Sequence, residues 1–146
     1  MNCGFIHQLN RNNIEALLIG GRAMNMLGSD RMTTDYDFLL NIDSSNFEIL
    51  YEIISIQLGY EPKFQANELL EQKKKIPLPG MIEIITSVDG VNFKDIYKRA
   101  IDGIIEGEII KYPCPKDMIE LKRVSSKDSS RVVDLEDIAF LESLCA

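Results

Sequence analysis

Two aspartates separated by one residue, Asp35 and Asp37, are the residues of this 146-residue chain whose types and spacing best suit chemistry. In an extended segment, residues two apart point to the same side, so both carboxylates would lie together and Tyr36 would point away. Adjacent carboxylates repel unless a cation lies between them, and oxygen ligands of this kind suit Mg²⁺ or Mn²⁺. A motif this short more often marks only the start of a solvent-exposed strand. The neighbouring residues must therefore show whether it is a metal site.

A glycine pair, Gly20-Gly21, precedes the aspartates and directly follows the apolar stretch Ala16–Ile19. At a strand-to-helix junction, unpaired backbone N–H groups favour a phosphate, and glycine lets that phosphate approach closely. The chain contains neither a P-loop sequence nor a G-x-G-x-x-G fingerprint, which disfavours two familiar nucleotide-binding folds. The pair predicts a phosphate-binding turn, with an ordinary tight turn as the alternative.

These residues resemble the signature of the nucleotidyltransferase superfamily, which has the polymerase beta-like fold. The nearest likeness is to small bacterial nucleotidyltransferase-like proteins related to abortive-infection toxins. The motif that carries it is Gly20-Gly21-x-Ala23, then Gly28, then Arg31-x-Thr33-x-Asp35-x-Asp37. Later segments also resemble that group: Gly80-x-Ile82-Glu83-Ile84-Ile85, Val88-Asp89-Gly90-x-x-Phe93, and Asp117-Met118-Ile119-x-x-Lys122 with Arg131-x-x-Asp134-x-x-Asp137.

The resemblance implies a Mg²⁺-dependent enzyme that transfers a nucleoside monophosphate from an NTP to a hydroxyl of RNA, protein or a small molecule. It implies that Asp35 and Asp37 bind the metal and that a third acid on an adjacent strand completes the catalytic set. Glu83 is the candidate for that acid, although the family more often has aspartate there. Asp89 is the fallback, but its Asp-Gly context fits a turn better.

The resemblance also implies a set of nucleotide-binding residues. Lys122 would approach the triphosphate from the C-terminal helices, or would instead be a solvated helix lysine. Arg31 and Thr33 would brace the aspartate loop, Arg31 through a carboxylate or phosphate and Thr33 through its hydroxyl. The predicted nucleotide-binding set is Gly20, Gly21, Arg31, Thr33 and Lys122.

Two alternatives remain beside the active enzyme. The first is a degenerate nucleotidyltransferase fold that works as a binding module, such as an antitoxin or regulatory partner in a toxin-antitoxin or phage-defence pair. The shortness of the chain motivates it, because little beyond the catalytic core is left to recognise an acceptor. The second is a small antibiotic-modifying nucleotidyltransferase with the same core chemistry.

The elements that must position these residues follow from apolar periodicity and turn signals. Helices are predicted over residues 5–9, 23–27, 47–58, 93–101, 117–124 and 132–144, and strands over 16–19, 36–42, 81–87 and 109–112. Residues 60–65 read as a strand and 66–75 as a helix or a charged excursion. Ser45 with Glu48 has the pattern of a capping box, and Gly59 fits the position after a helix. We therefore predict one α/β or α+β domain over residues 1–146, a mixed central sheet flanked by helices.

Composition restricts the partners. Sixteen basic and twenty-three acidic residues give a net charge of −7, which opposes stable binding to DNA or to an anionic membrane. The candidates for a local basic face are Lys73-Lys74-Lys75, Lys94, Lys98, Arg99, Lys122, Arg123 and Arg131. Three scattered cysteines, no signal peptide and no apolar run of membrane-spanning length predict a reduced, cytoplasmic location. His7, the single histidine, is expected at the surface or in packing.

Overall fold

The computed structural model describes residues 3–125 and 132–145. In chain order, the elements are α1 (Cys3–Arg11), β1 (Ala16–Ile19), α2 (Gly20–Met26), β2 (Tyr36–Leu40), α3 (Phe47–Leu58), α4 (Glu68–Glu71), β3 (Lys75–Leu78), β4 (Ile82–Ile85), α5 (Phe93–Arg99), β5 (Ile101–Ile105), β6 (Glu108–Tyr112), α6 (Pro115–Ser125) and α7 (Val132–Cys145). Helices and strands are interspersed along the chain, as the sequence predicted.

The strands form one six-stranded sheet in the order β3-β4-β2-β1-β6-β5. The pairs β1·β6 and β2·β4 are parallel, whereas β1·β2, β3·β4 and β5·β6 are antiparallel. The mixed sheet with flanking helices confirms the predicted fold class. Its two central strands, β1 and β2, carry the glycine junction and the aspartate motif.

Helix α1 packs on one face of the sheet, against β6 and, through Phe5, against β2. Its apolar residues Phe5, Ile6 and Leu9 are buried, as their helical spacing predicted. The rings of Phe5 and Phe38 lie 5.6 Å apart between centroids, which places Phe38 on the covered face. Because side chains alternate along a strand, Asp37 points to the opposite face of β2. Burial of Phe38 therefore helps to fix the orientation of the aspartate next to it.

Helix α3 is confirmed over its predicted length, but the predicted capping box is wrong. Its N-cap is Asn46, which makes no side-chain cap hydrogen bond. Asp43 instead accepts hydrogen bonds from the backbone N–H and the hydroxyl of Ser45, so Ser45 belongs to the preceding turn. The other end matches the prediction, because Gly59 adopts the left-handed conformation at φ +84°.

Two strands were not predicted, and both lie at the edges of the sheet. Residues 60–65 form no strand, and the segment 66–75 contains only the short helix α4 before β3 begins. Helix α5 ends at Arg99 rather than residue 101, because Ile101 already belongs to β5. In the part of the chain that the structure describes, no helix has both the length and the apolar character to cross a bilayer.

Candidate active site

The aspartate motif lies where strand β2 begins, beside β1 and β4. Asp35 immediately precedes the strand, and Asp37 is its second residue. In the parallel pairing with β4, Asp37 lies directly opposite Glu83. In the antiparallel pairing with β1, it lies opposite Ile19, the residue before Gly20. The backbone thus brings the two acids of the motif next to the strand that carries the predicted third acid.

The glycine pair is packed against the aspartate motif. Gly20 has φ +70°, and a Cβ atom there would overlap the Asp37 carboxylate. A Cβ atom on Gly21 would lie 2.5 Å from the Thr33 hydroxyl oxygen and 2.7 Å from its Cβ. A larger residue at either position would displace a residue of the loop or of the motif. The structure therefore gives both glycines a steric role, because each makes room for one predicted site residue.

The electrostatic environment of Asp37 is unfavourable to its charge. Burial raises the pKa of this carboxyl above its ordinary value, and the charges of Glu83 and Asp35 raise it further. Lys122 and Lys75 oppose this effect from nearby. A bound cation would relieve the repulsion among the three acids, which is the condition under which clustered carboxylates remain ionised.

The donor chemistry of these residues suits a divalent ion that arrives with a phosphate ligand. Among the described residues, no group of three His, Cys, Asp or Glu side chains is arranged to hold a metal ion by itself. Mg²⁺ commonly takes one or two carboxylates and fills its remaining positions with waters and substrate phosphates. Asp35 and Asp37, with Glu83 opposite, offer oxygen donors of this kind. A metal supplied together with an NTP therefore fits the residues present.

The predicted cations Arg31 and Lys122 meet at one buried carboxylate. Asp137 on α7 accepts a hydrogen bond from Nη1 of Arg31, and its Oδ2 lies 3.0 Å from Nζ of Lys122. Lys122 is also 3.8 Å from Asp134. The side chains of Lys122 and Asp137 are only 10% and 5% exposed. This cluster ties the C-terminal helices to the aspartate loop.

The C-terminal acids Asp134 and Asp137 are buried, although their sequence context points to the surface. The i,i+3 spacing of Arg131, Asp134 and Asp137 is typical of ion pairs on a helix surface, but both acids are buried and paired with Lys122. Arg131 lies outside the described residues. The sequence did contain a sign that the two acids act together, because residues at i,i+3 spacing lie on the same face of a helix.

The aspartate loop is also held by a residue that sequence reasoning missed. The side-chain amide of Asn25 donates to the backbone carbonyls of Ser29, at 3.1 Å, and Arg31, at 2.8 Å. Helix α2 closes with two further bonds, from Gly28 N to Asn25 O and from Ser29 N to Met24 O, as in a Schellman motif. These bonds fix the path of the chain toward Thr33.

Arg22 is a second residue that the motif analysis left unnamed. Its guanidinium carbon lies 4.4 Å from the centre of the Tyr36 ring, and Tyr36 separates the two aspartates in sequence. Nη2 is 3.5 Å from the Thr34 carbonyl oxygen, whereas the buried Nε has no hydrogen-bond partner in residues 3–125 and 132–145. The sequence feature that could have drawn attention to Arg22 is its position as a cation directly after the glycine pair.

The remaining predicted features lie farther from this centre. Asp89 is 84% exposed and pairs with Lys73, so Glu83 is the acid that lies opposite Asp37. Several members of the proposed basic face are engaged in ion pairs, including Lys74 with Glu68, Arg99 with Asp117 and Arg123 with Glu142. His7 is at the surface, with Nδ1 2.7 Å from Glu108.

Comparisons with known proteins support the fold. No protein-family model matches the sequence, and the search of curated proteins found no significant match. Among solved structures, an antigenic nucleotidyltransferase-like protein from Paracoccidioides brasiliensis aligns over 97% of this chain and 73% of its own, with TM-score 0.56 and 17% identity.

The antibiotic-resistance factor ANT(2'')-Ia is also similar. Its solution structure aligns with TM-score 0.67 and 11% identity, over 97% of this chain and 80% of its own. Its crystal structure with adenylyl-2"-tobramycin aligns with TM-score 0.56 and 12% identity, over 97% and 86%. At such identities the likeness shows the architecture, and it extends over almost the whole chain. This chain therefore has the nucleotidyltransferase fold.

Proposed function

We propose that the protein is a Mg²⁺-dependent nucleotidyltransferase that transfers a nucleoside monophosphate from an NTP to a hydroxyl group. The observation that carries the proposal is the register that places Asp37 opposite Glu83, with Asp35 two residues earlier and Gly20 packed on the Asp37 carboxylate. A fold alone would not specify the reaction, since one fold hosts many functions. The three acids, rather than the fold, are what support a metal-dependent transfer reaction.

Each acid has a distinct task in this proposal. Asp35 and Asp37 bind the divalent ion, which when bound offsets charge on the triphosphate. Glu83 accepts the proton of the attacking hydroxyl or assists in holding the ion. Positioning and charge stabilisation account for most catalysis in phosphoryl-group transfer, so the fixed register of β2 and β4 matters more than any single hydrogen bond.

The direct test is calorimetric titration with an NTP in the presence of Mg²⁺. Wild type should bind the nucleotide only when the metal is present. The double variant Asp35→Asn/Asp37→Asn should lose this metal-dependent binding. Asp89→Asn is the matched control, because Asp89 is an exposed acid outside the site. Equal, metal-independent binding by wild type and the double variant would rule out the proposed site.

The acceptor is RNA, a protein or a small molecule, and we propose a cytoplasmic role in a toxin-antitoxin or phage-defence system with a cognate protein partner. The neighbour ANT(2'')-Ia is described as an antibiotic-resistance factor. A small-molecule acceptor therefore belongs among those tested.

A binding module without catalytic activity is the second candidate. It is favoured by Glu83, a glutamate where the family more often has aspartate. Incubation with labelled NTPs and total tRNA, a co-encoded protein or an aminoglycoside separates the two candidates. Label transfer that Asp37→Asn abolishes supports the enzyme, whereas nucleotide binding without transfer to any acceptor class supports the module.

A further inference from the structure

The outer face of helix α3 and the turn that follows it form an open groove of about 740 Å³, which we call the α3 groove. Among the residues that line it are Tyr51, Glu52, Ile56, Tyr60 and Glu61. Ile56 and Tyr60 are 71% and 61% exposed, although both carry large apolar surfaces. Neighbouring exposed apolar side chains with polar residues around them are typical of interaction sites. The α3 groove is therefore a candidate docking surface.

The charge of the α3 groove is negative. Glu52 and Glu61 are its two charged residues, and no lysine or arginine of the described chain lines it. Neither glutamate belongs to an ion pair within residues 3–125 and 132–145. Unpaired acids beside aromatic and aliphatic surface attract a cation with an apolar body, because the carboxylates and ring faces favour its charge. The groove thus complements a basic and apolar segment.

One wall of the α3 groove is held in place before any partner binds. The Tyr51 hydroxyl donates to the Phe64 carbonyl oxygen at 3.0 Å, and the two rings meet edge to face with their centroids 5.8 Å apart. The Ser55 hydroxyl donates to the Tyr51 carbonyl oxygen at 2.8 Å. Gly59, at φ +84°, ends the helix directly before Tyr60. A surface that is already ordered loses less conformational entropy on binding than one that must become ordered.

We propose that the α3 groove binds a segment of a partner protein in which apolar side chains are flanked by arginines. The inference rests on the part of the proposed function that assigns a protein partner, and it is independent of the transferase reaction. Arginine suits the groove better than lysine, because a guanidinium stacks on aromatic rings and pairs with carboxylates in a planar geometry. The apolar side chain would cover Ile56, while the arginines would pair with Glu52 and Glu61.

Other occupants fit the α3 groove less well. A small molecule would leave much of its surface in water here, whereas small-molecule sites usually enclose most of their ligand. In a symmetric contact with a second copy, Glu52 and Glu61 would face the same acids of that copy, which like-charge repulsion opposes. The net charge of −7 on each chain acts in the same direction.

The α3 groove and the candidate active site lie on different sides of the sheet. Helix α3 contacts α1, which packs on the Phe38 face, whereas the Asp37 carboxylate points to the opposite face. A segment docked in the groove would therefore leave the nucleotide site accessible. Peptide binding and nucleotide binding can be measured independently of each other.

The test measures binding of a labelled, capped peptide, Arg-Leu-Arg-Leu-Arg, by fluorescence anisotropy. One control peptide has glutamate in place of every arginine, and another has glycine in place of every leucine. The groove variants are Ile56→Lys and Glu52→Gln/Glu61→Gln. Circular dichroism and a thermal melt establish that every variant is folded.

Each groove variant has a matched control elsewhere on the surface. Ile104→Lys makes the same change at an isoleucine that is 69% exposed on β5. Glu120→Gln/Glu136→Gln removes two exposed acids on α6 and α7. Both pairs of variants change the net charge equally, so a difference within a pair reports on the groove itself.

We expect wild type to bind the arginine-leucine peptide saturably, with an affinity that falls as salt is added. Each groove variant should bind it about tenfold or more weakly, whereas the matched controls should stay within about threefold of wild type. Both control peptides should bind wild type at least about tenfold more weakly than the arginine-leucine peptide, because each lacks one of the two features that the groove recognises.

Absence of saturable binding by wild type up to about 1 mM peptide overturns the inference. Equal losses in the groove variants and their matched controls, or full affinity for the glycine peptide, overturn it as well. A wild-type dimer in analytical ultracentrifugation that Ile56→Lys dissociates would assign the groove to a second copy and also overturn it. Calorimetry with ATP and Mg²⁺ tests the transferase separately: wild type that binds the peptide but no ATP supports this inference and refutes the proposed reaction.

Discussion

Asp37 combines burial with two acidic neighbours, so the same features that suit it to a cation make its charge costly without one. The pKa of this carboxyl is raised by burial first, then by Glu83 and Asp35. A raised pKa means that the folded protein holds the proton more tightly than the unfolded chain does. The ionised side chain therefore lowers the stability of the metal-free protein.

Replacement Asp37→Asn should stabilise the metal-free protein while it removes the proposed transferase activity. We expect a gain of about 1 kcal/mol at pH 7, a rise in Tm of roughly 2–4 °C for a domain of this size, because the repulsion with Glu83 and Asp35 disappears. Thermal unfolding followed by circular dichroism in a chelator measures it. With Mg²⁺ and an NTP, the wild type should gain stability and the variant should not.

The pH dependence of this gain has a defined sign. The unfolded carboxyl titrates near 3.8 and the folded one higher, so the wild type loses stability as pH rises through the interval between these values. The advantage of Asp37→Asn should be absent below that interval and complete above it. Asp89→Asn, an exposed acid, serves as the control. An advantage that is constant with pH would contradict the electrostatic cause.

Lys122 has a structural task that its motif position does not reveal. Lys122→Met should destabilise the protein by about 3–5 kcal/mol, because Asp134 would remain buried without its ammonium partner and Asp137 would keep only Arg31 of its two cations. Lys116→Met, at an exposed position of the same helix, should stay within about 0.5 kcal/mol of wild type. Urea unfolding of both variants measures the difference, and equal stabilities would show that the cluster contributes little.

Among the elements, the junction of β1 and α2 places the strictest demand on residue size. Gly20 needs both a positive φ and the space that the Asp37 carboxylate occupies, whereas Gly59 needs only a positive φ, since a Cβ atom there would contact nothing within 4 Å. Substitutions at Gly59 and Gly20 can therefore be compared to separate the cost of backbone strain from the effect of displacing Asp37.

Gly59→Ala should cost about 1–2 kcal/mol of stability and leave nucleotide binding unchanged. Gly20→Ala should cost at least as much and also weaken metal-dependent ATP binding by more than about tenfold, because the Asp37 carboxylate must move. Chemical unfolding and calorimetry measure the two effects. Retention of wild-type ATP affinity by Gly20→Ala would mean that the position of this carboxylate is not critical.

The central elements could be predicted from sequence because they are buried, and the edge elements could not. Strand β3 contains Pro77, which argues against a strand except at an edge, where its missing N–H costs nothing. The β5–β6 hairpin turns at Glu106 and Gly107, both with positive φ, and glutamate is not a residue that signals such a turn. Local signals were therefore weakest where the sheet ends.

The proximity of the acids and glycines of the candidate site was predictable, because their spacing along the chain carries that information. The contacts of Arg22 and Asp137 were not, since they depend on how distant elements pack. Asp137 reaches Arg31 only after α7 docks beside the aspartate loop, and helix spacing alone favoured a solvated face. The sequence thus indicated which acidic residues are present, whereas the packing of distant elements determined which cations they pair with.

For the molecule as a whole, the net charge of −7 and the pairing of several basic residues oppose binding to nucleic acid. We expect no saturable binding to duplex DNA up to about 10 μM protein at roughly physiological salt, since nonspecific affinity depends on unpaired cations that contact phosphates. Fluorescence anisotropy with a labelled duplex measures this. Salt-sensitive binding in the low micromolar range would indicate a basic surface that the ion pairs do not neutralise.

The parallel pairing of β2 with β4 also has a consequence for folding. Asp37 and Glu83 are distant in the chain and become neighbours only when these strands pair, a contact whose loop-closure entropy must be overcome before it contributes stability. Hairpins such as β5–β6 close over a short loop and should form early. Recovery of ATP binding during refolding should therefore lag behind recovery of secondary structure, and a nascent chain would gain this activity only after β4 has left the ribosome.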